Sequence, residues 1–220
     1  LKAIIYGAGL FAEYLSYAIS NDSDYDVVAY CVDHEFLNDR KEIGGLPLVA
    51  FETVETVFQP GECDMFVAVG NNEIRAQKCL EATEKGYKLL TYISSKSDTW
   101  PNLQYGRNVF IGEGSIIQPF VTIGDNCMFM GVRLGHHTVI GHNNVLSGTF
   151  VGGSSTIGNN CFFGLNSTIR QGVTIGNNNI IGMGCAIIRN TKDDEVYRST
   201  KSTTKSEVPA DRIKKAYLRY

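Results

Sequence analysis

IGEGSI at 111–116, IGDNCM at 123–128, LGHHTV at 134–139, IGHNNV at 140–145, IGNNCF at 157–162 and IGNNNI at 175–180 are versions of one six-residue phrase. The long apolar position recurs at Ile111, Ile117, Ile123, Phe129, Leu134, Ile140, Leu146, Val151, Ile157, Phe163, Ile169, Ile175, Ile181 and Ile187; eleven of the thirteen steps are six residues and two are five. Four residues after it comes a mostly small residue, as at Ser115, Cys127, Thr138, Ser155, Cys161, Ser167 and Cys185. A period of six matches neither a helix face nor a sheet pleat over such a length. It matches a parallel β-helix, a prism whose short strands meet at corners and whose interior is filled by the apolar column.

Working outward, the first 97 residues read differently. KAIIYGAG opens as a buried strand running into Gly7, Gly9, Leu10 and Phe11, then a helix with Phe11, Tyr14, Leu15, Ala18 and Ile19 inward. YDVVAYCVD is a second buried strand ending at Asp33. Strand, glycine turn, helix, strand and terminal acid form the mononucleotide half of a Rossmann-type fold, which offers backbone N–H groups to a diphosphate. DMFVAVGNN adds a strand ending near Asn71, EIRAQKCLEATEKG a helix with Ala76, Cys79, Leu80 and Thr83 inward, and YKLLTYIS a last strand. A parallel sheet of about four or five strands is expected, half of what a dinucleotide fold requires. The expected division is therefore 1–97 as a nucleotide-sugar-binding α/β unit, 98–192 as an all-β prism and 193–220 as a polar tail, with a short basic helix near its end. Trp100, in the hinge, is expected to plug the open end of the prism.

Composition narrows the partners. A net charge of −3 gives no basic surface for nucleic acid. No run approaches membrane-spanning length and no charged-then-apolar leader is seen, so no membrane partner is expected. Six cysteines form no CxxC pair, and Cys127, Cys161 and Cys185 fall in the small inward slot. Buried free thiols in a reducing cytoplasm are the expected reading.

Three of the four histidines lie in LGHHTVIGH at 134–142. His136 and His137 occupy one outward corner, and His142 lies one corner further round. The two short steps, Phe129 to Leu134 and Leu146 to Val151, bracket them and place Arg133 and Phe150 in the small slot. A distorted coil around the histidines is expected. One coil on from His136 is seventeen residues, which lands on Gly153, at about one strand spacing of 4.8 Å. A base beside a free backbone N–H is what acyl transfer needs.

YGAG, AVGNNEIR, LGHHTVIG, CFFGLNSTI and IIGMGCAIIRNT together span nearly the whole chain. On these phrases the chain resembles the hexapeptide acyltransferases, specifically the sialic-acid and bacillosamine-type sugar O- and N-acetyltransferases. The resemblance implies a left-handed parallel β-helix and a homotrimer with CoA clefts between prisms. It implies acetyl-CoA as cosubstrate, no metal, and a nucleotide-linked amino sugar, often a 4-amino-4,6-dideoxy sugar for surface glycans, as acceptor. It makes His136 the base, with His137 beside it, and gives the Gly153 N–H to the thioester carbonyl. Gly164, Leu165 and Met183 run along the pantetheine arm. Three positions depart from the family pattern. His137 stands where many relatives have an acid, Val145 where some have a histidine on the acetyl group, and VYRSTKS replaces the closing Gly-x-Pro-Ala segment. O-acylation of a sialic-acid-like sugar, a non-catalytic nucleotide-sugar binder and a γ-type carbonic anhydrase using His137 and His142 are the alternatives.

Overall fold

A computed structural model describes residues 1–199. Its N-terminal unit is a five-stranded sheet in the order β3-β4-β2-β1-β5, made by β1 (Lys2–Tyr6), β2 (Asp26–Val32), β3 (Glu42–Ile43), β4 (Leu46–Ala50) and β5 (Cys63–Val67). All pairs are parallel except β3 with β4. Helix α1 (Leu10–Asp22) buries Ala12, Leu15, Ala18 and Ile19 on one side of the sheet. Helix α2 (Asn72–Glu84) lies on the other and buries Arg75, Cys79 and Ala82. Leu80, expected inward, is 54% exposed, and Thr83, also expected inward, is exposed as well. Leu80 lines a cleft between α2 and the prism corner formed by Arg107, Asp125 and His142 and so stays in contact with solvent.

The prism is a left-handed β-helix with three faces. The first face holds Phe110–Ile111, Met128–Met130, Val145–Ser147, Phe162–Phe163 and Ile180–Ile181. The second holds Ile116–Ile117, Arg133–Leu134, Phe150–Val151, Thr168–Ile169 and Ala186–Ile187, and the third runs from Gln104–Tyr105 to Thr174–Ile175. The second residue of almost every strand points inward, so Ile111, Phe129, Leu146 and Phe163 stack with the corresponding residues of the other faces into one buried column. Each such side chain contributes roughly 1.5–3 kcal/mol of burial. All six cysteines are free and buried.

Several local expectations change. YKLLTYIS is divided between the two units: Leu89 forms a parallel bridge with Met65 at the β5 edge of the N-terminal sheet, while Tyr92–Ile93 pairs with Phe110–Ile111 of the prism. Val196–Tyr197 pairs with Ile180–Ile181, so the prism's hydrogen bonding also runs past residue 192. Leu103, Ile93 and Tyr197 pack against the column, while Trp100 is 54% exposed. The helix expected near the end of the tail lies outside the described residues.

The two five-residue steps both fall at the corner from first to second face. There Gly131 and Gly148, at φ +60° and +53°, turn the chain in one residue fewer. They stack directly, with Gly148 N–H donating to Met130 O at 2.7 Å. The small inward slot is filled by Val132 and Thr149, and Arg133 and Phe150 point outward. The shortening is thus one corner away from His136 and His137, and strand pairing is undisturbed on both sides.

The N-terminal unit sits on the first face. Phe110, Met128 and Val145 present their outward side chains to its core, with Phe11 and Tyr14 edge-on to Phe110 at 5.5 and 5.9 Å. Asp22, at the end of α1, accepts from Tyr92 Oη at 2.7 Å, Ser94 Oγ at 2.9 Å and the Ser95 N–H at 2.9 Å. These donors, Ser95 foremost, hold its carboxyl well below the usual carboxylate range.

Candidate active site

His136 and His137 occupy the corner from second to third face. The turn there is anchored above and below. His136 N–H donates to Gln118 Oε1 at 2.9 Å, His136 O accepts from Ser154 N–H at 2.7 Å, and His137 N–H donates to Pro119 O at 3.2 Å. The second corner residue must adopt a left-handed backbone; Asn does so at 126, 143, 160 and 178, whereas His137 does so here at φ +59°.

Gly153 lies directly over the His136 ring. A Cβ on Gly153 would come within 2.9 Å of both Cε1 and Nε2 of His136, and a Cβ on Gly135 would come within 2.3 Å of Gly153 N. Both positions therefore need glycine for space. The Gly153 N–H meets no protein acceptor among the described residues, although its neighbours on either side are bonded to Ile169 O and His136 O. Imidazole and free donor open on a cavity of about 450 Å3 on the second face, which Gln118, Arg133, Phe150 and Gln171 also line.

His142 is in a different situation, at the corner from third to first face. Its Nδ1 accepts from Asp125 N–H at 2.9 Å, and its own N–H donates to Asn159 Oδ1 at 2.7 Å. Arg107 to Asp125, Asn159 to Asn177 and Asn177 to Asp193 repeat the same contact. His142 is one rung of an Asp/Asn ladder. Among the described residues no group of three His, Cys, Asp or Glu side chains could hold a metal ion.

Gly164, Leu165 and Met183 lie at the corner from first to second face, at the other edge of the second face from His136. Leu165 and Met183 are 55% and 67% exposed, and Gly164 admits Met183 N within 2.7 Å of where a Cβ would be. Val145 is buried beneath the N-terminal unit, away from the His136 corner.

In the N-terminal unit, Gly7 donates to Cys31 O at 2.8 Å and is packed so closely that a Cβ would lie 2.8 Å from Ala68 O. Gly9 is different: nothing lies within 4 Å of its Cβ position, and it caps α1 without a side chain. The N–H groups of Leu10 and Phe11 meet no protein acceptor among the described residues, and Leu10 is 83% exposed. This leaves an open helix N-terminus for an anion. Asn71 is occupied as the cap of α2, accepting from Glu73 and Ile74 N–H at 3.0 Å. Asp33 faces a second cavity of about 750 Å3 with Phe51 and Lys85. It pairs with Lys78 at 2.9 Å and stands beside the Tyr6 hydroxyl, whose pKa burial and the Asp33 carboxylate push up. Lys78 and Tyr6 were not singled out by sequence.

Residues 2–82 match the family described as the PglD N-terminal domain, and residues 106–129 and 154–189 match the hexapeptide repeat of succinyl-transferase. A histidine-to-asparagine mutant of perosamine N-acetyltransferase from Caulobacter crescentus, solved with CoA and GDP-perosamine, is 23% identical; the match covers 89% of this chain and 92% of that one with a TM-score of 0.81. The acetyltransferase domain of PglB from Neisseria gonorrhoeae FA1090, solved with acetyl coenzyme A, is 21% identical over 88% and 93%, with a TM-score of 0.74. WeeI from Acinetobacter baumannii AYE is 16% identical over 89% and 96%, with a TM-score of 0.76. The chain thus joins a PglD-type N-terminal domain to hexapeptide repeats, and its fold is the one these solved structures share.

Proposed function

We propose that this protein transfers the acetyl group of acetyl-CoA to the amine of a nucleotide-linked amino sugar, with a 4-amino-4,6-dideoxy sugar as the first candidate, for surface glycan assembly. The observation that carries this reading is His136 Nε2 beside the unpartnered Gly153 N–H. The GDP-perosamine and CoA in the Caulobacter structure support the substrate class. The neutral amine attacks the thioester carbonyl, forming the C–N bond, and the carbonyl oxygen takes up negative charge facing Gly153 N–H. His136 Nε2 accepts the proton from the amine nitrogen. The tetrahedral centre then collapses with cleavage of the C–S bond, and CoA leaves as the thiolate, which is reprotonated. The products are the acetamido sugar and CoA-SH.

The nucleotide end belongs at Gly9–Phe11 and Asp33, in the unit we assign to residues 1–97. Asp33→Asn is expected to weaken nucleotide-sugar binding about tenfold, the worth of one hydrogen bond to a charged group. CoA affinity should be unchanged. Calorimetry with each ligand checks this, and equal loss of both would point to unfolding.

Leu165 and Met183 stand at the opposite edge of the second face from His136, so one protomer does not enclose a CoA between them. We assign the CoA cleft to the junction of neighbouring prisms in a closed trimer, the arrangement that uses one patch repeatedly around a symmetry axis. Sedimentation should give a trimer, with activity following trimer content across a dilution series. A monomer of full activity would contradict this. Six buried free thiols suit a reducing compartment, and we place the reaction in the cytoplasm.

Thiol release from acetyl-CoA against UDP-, dTDP- and GDP-linked amino sugars tests the function. A product stable to mild base is the amide, and a labile one is the ester of O-acylation. No release with any sugar, together with nucleotide-sugar binding, would leave a binding protein.

A further inference from the structure

We propose that His137 is the positioning residue for His136, a neutral imidazole doing what a carboxylate does in other base dyads. This rests on His136 being the base of the reaction above. The two Nδ1 atoms are 3.1 Å apart, with the rings edge to face at 84°. At that distance one proton lies between them and the other nitrogen supplies a lone pair. When His136 takes the amine proton on Nε2, it becomes an imidazolium and its Nδ1–H must donate. His137 Nδ1 is therefore the acceptor, and the proton of His137 is carried on Nε2. In the resting state the same bond holds His136 as the Nδ1–H tautomer, which leaves Nε2 unprotonated beside Gly153. The bond becomes charge-assisted as the proton arrives, so it strengthens on the way to the tetrahedral intermediate.

His137 is itself fixed. Its N–H is tied to Pro119 O at 3.2 Å, and its ring lies over Phe120 at 4.7 Å. Phe120 occupies the same corner position one coil below, at φ +66° against +59° for His137. An aromatic side chain is thus tolerated on this left-handed backbone. Among the described residues no carboxylate lines the cavity in front of His136.

Two variants separate orientation from packing. His137→Phe keeps a ring on Phe120 but removes the acceptor. His137→Asn keeps an acceptor, with Oδ1 near the place of Nδ1, on a backbone that Asn adopts at neighbouring corners. His137→Phe is expected to lower kcat about 10- to 100-fold, the worth of a hydrogen bond to a charged group, with KM for acetyl-CoA and melting temperature little changed. His137→Asn should recover most of that loss. In 15N-histidine spectra of the wild-type protein, His136 should be the Nδ1–H tautomer, and His137→Phe should shift it towards Nε2–H. An Nε2–H tautomer of His136 in the wild type, or wild-type kcat in His137→Phe, overturns the inference while leaving His136 as base. Turnover that survives His136→Ala overturns the base assignment itself. Should His137→Phe fail to fold, the wild-type spectrum still decides.

Discussion

Turnover of His136→Ala is expected to fall about 10²- to 10⁴-fold, the contribution of one positioned base, equivalent to about 3–5 kcal/mol in the barrier. Binding of both substrates should be far less affected. The side chain stands at an exposed corner, and its fold contacts run through the backbone to Gln118 and Ser154, which alanine keeps. The melting temperature should therefore hardly move. His137→Ala should cost less, because it removes an orienting contact and not the base. His142→Ala should cost least in turnover, since His142 faces another edge and serves as a ladder rung. Steady-state kinetics on the three variants gives the order. Damage from His142→Ala equal to that from His136→Ala would show that the base has been misassigned, or that the site draws on both corners across subunits.

The largest loss of stability is expected from Arg75→Met. Arg75 is 0% exposed, and among the described residues no carboxylate pairs with it. Its guanidinium donates instead to Val69 O at 2.8 Å, Gly70 O at 3.2 Å, Asn72 Oδ1 at 3.1 Å, Asn126 Oδ1 at 3.1 Å and Asn126 O at 3.3 Å. Burial pushes its pKa down to about 10, so it stays charged at neutral pH. One side chain thus ties the loop after β5 to the first rungs of the prism. Methionine would fill the space and leave Val69 O, Gly70 O, Asn72 Oδ1 and Asn126 O without this donor, whereas Asn126 Oδ1 would keep Asn108 Nδ2 at 2.8 Å, at a cost of about 3–5 kcal/mol. For a chain of this length that is roughly 6–20 °C in Tm. Arg75→Lys should recover little, because an ammonium cannot match the planar fork. Thermal denaturation of the three proteins checks this, and a Tm for Arg75→Met within a degree or two of wild type would refute it.

Sequence carried the prism because its repeat is a direct record of which side chains face in. Counting along that repeat was enough to put Gly153 over His136. The half-Rossmann unit was legible for a similar reason, since β1, β2 and β5 are continuous apolar runs. Arg75 was not legible. Charged residues are rarely fully buried, and nothing in EIRAQKCLEATEKG says that α2 meets a polar corner. Leu80 was misplaced by the same blindness to its neighbour. The last strand, YKLLTYIS, was right where Leu89 bridges Met65 and wrong at Tyr92–Ile93, which joins the prism, because a two-residue pairing leaves no periodicity to read. Arg133 and Phe150 were put inside by counting four residues through a corner that had lost one. The relation of Leu165 and Met183 to the histidines depends on how copies assemble, which no intrachain spacing encodes.

The glycine turns at 131 and 148 bear on how such a chain can change length. In a flat sheet, losing one residue exchanges the inner and outer side of everything that follows. Here each deletion was absorbed inside a corner, and Leu134 and Val151 still point inward and still pair with one another. The corners act as expansion joints: a descendant of this sequence can gain or lose a residue there and keep every later coil in phase. Length variation in this prism should therefore collect at corners where a left-handed glycine or asparagine is affordable, and the lining of a cleft can be reshaped without touching the column that holds the molecule together.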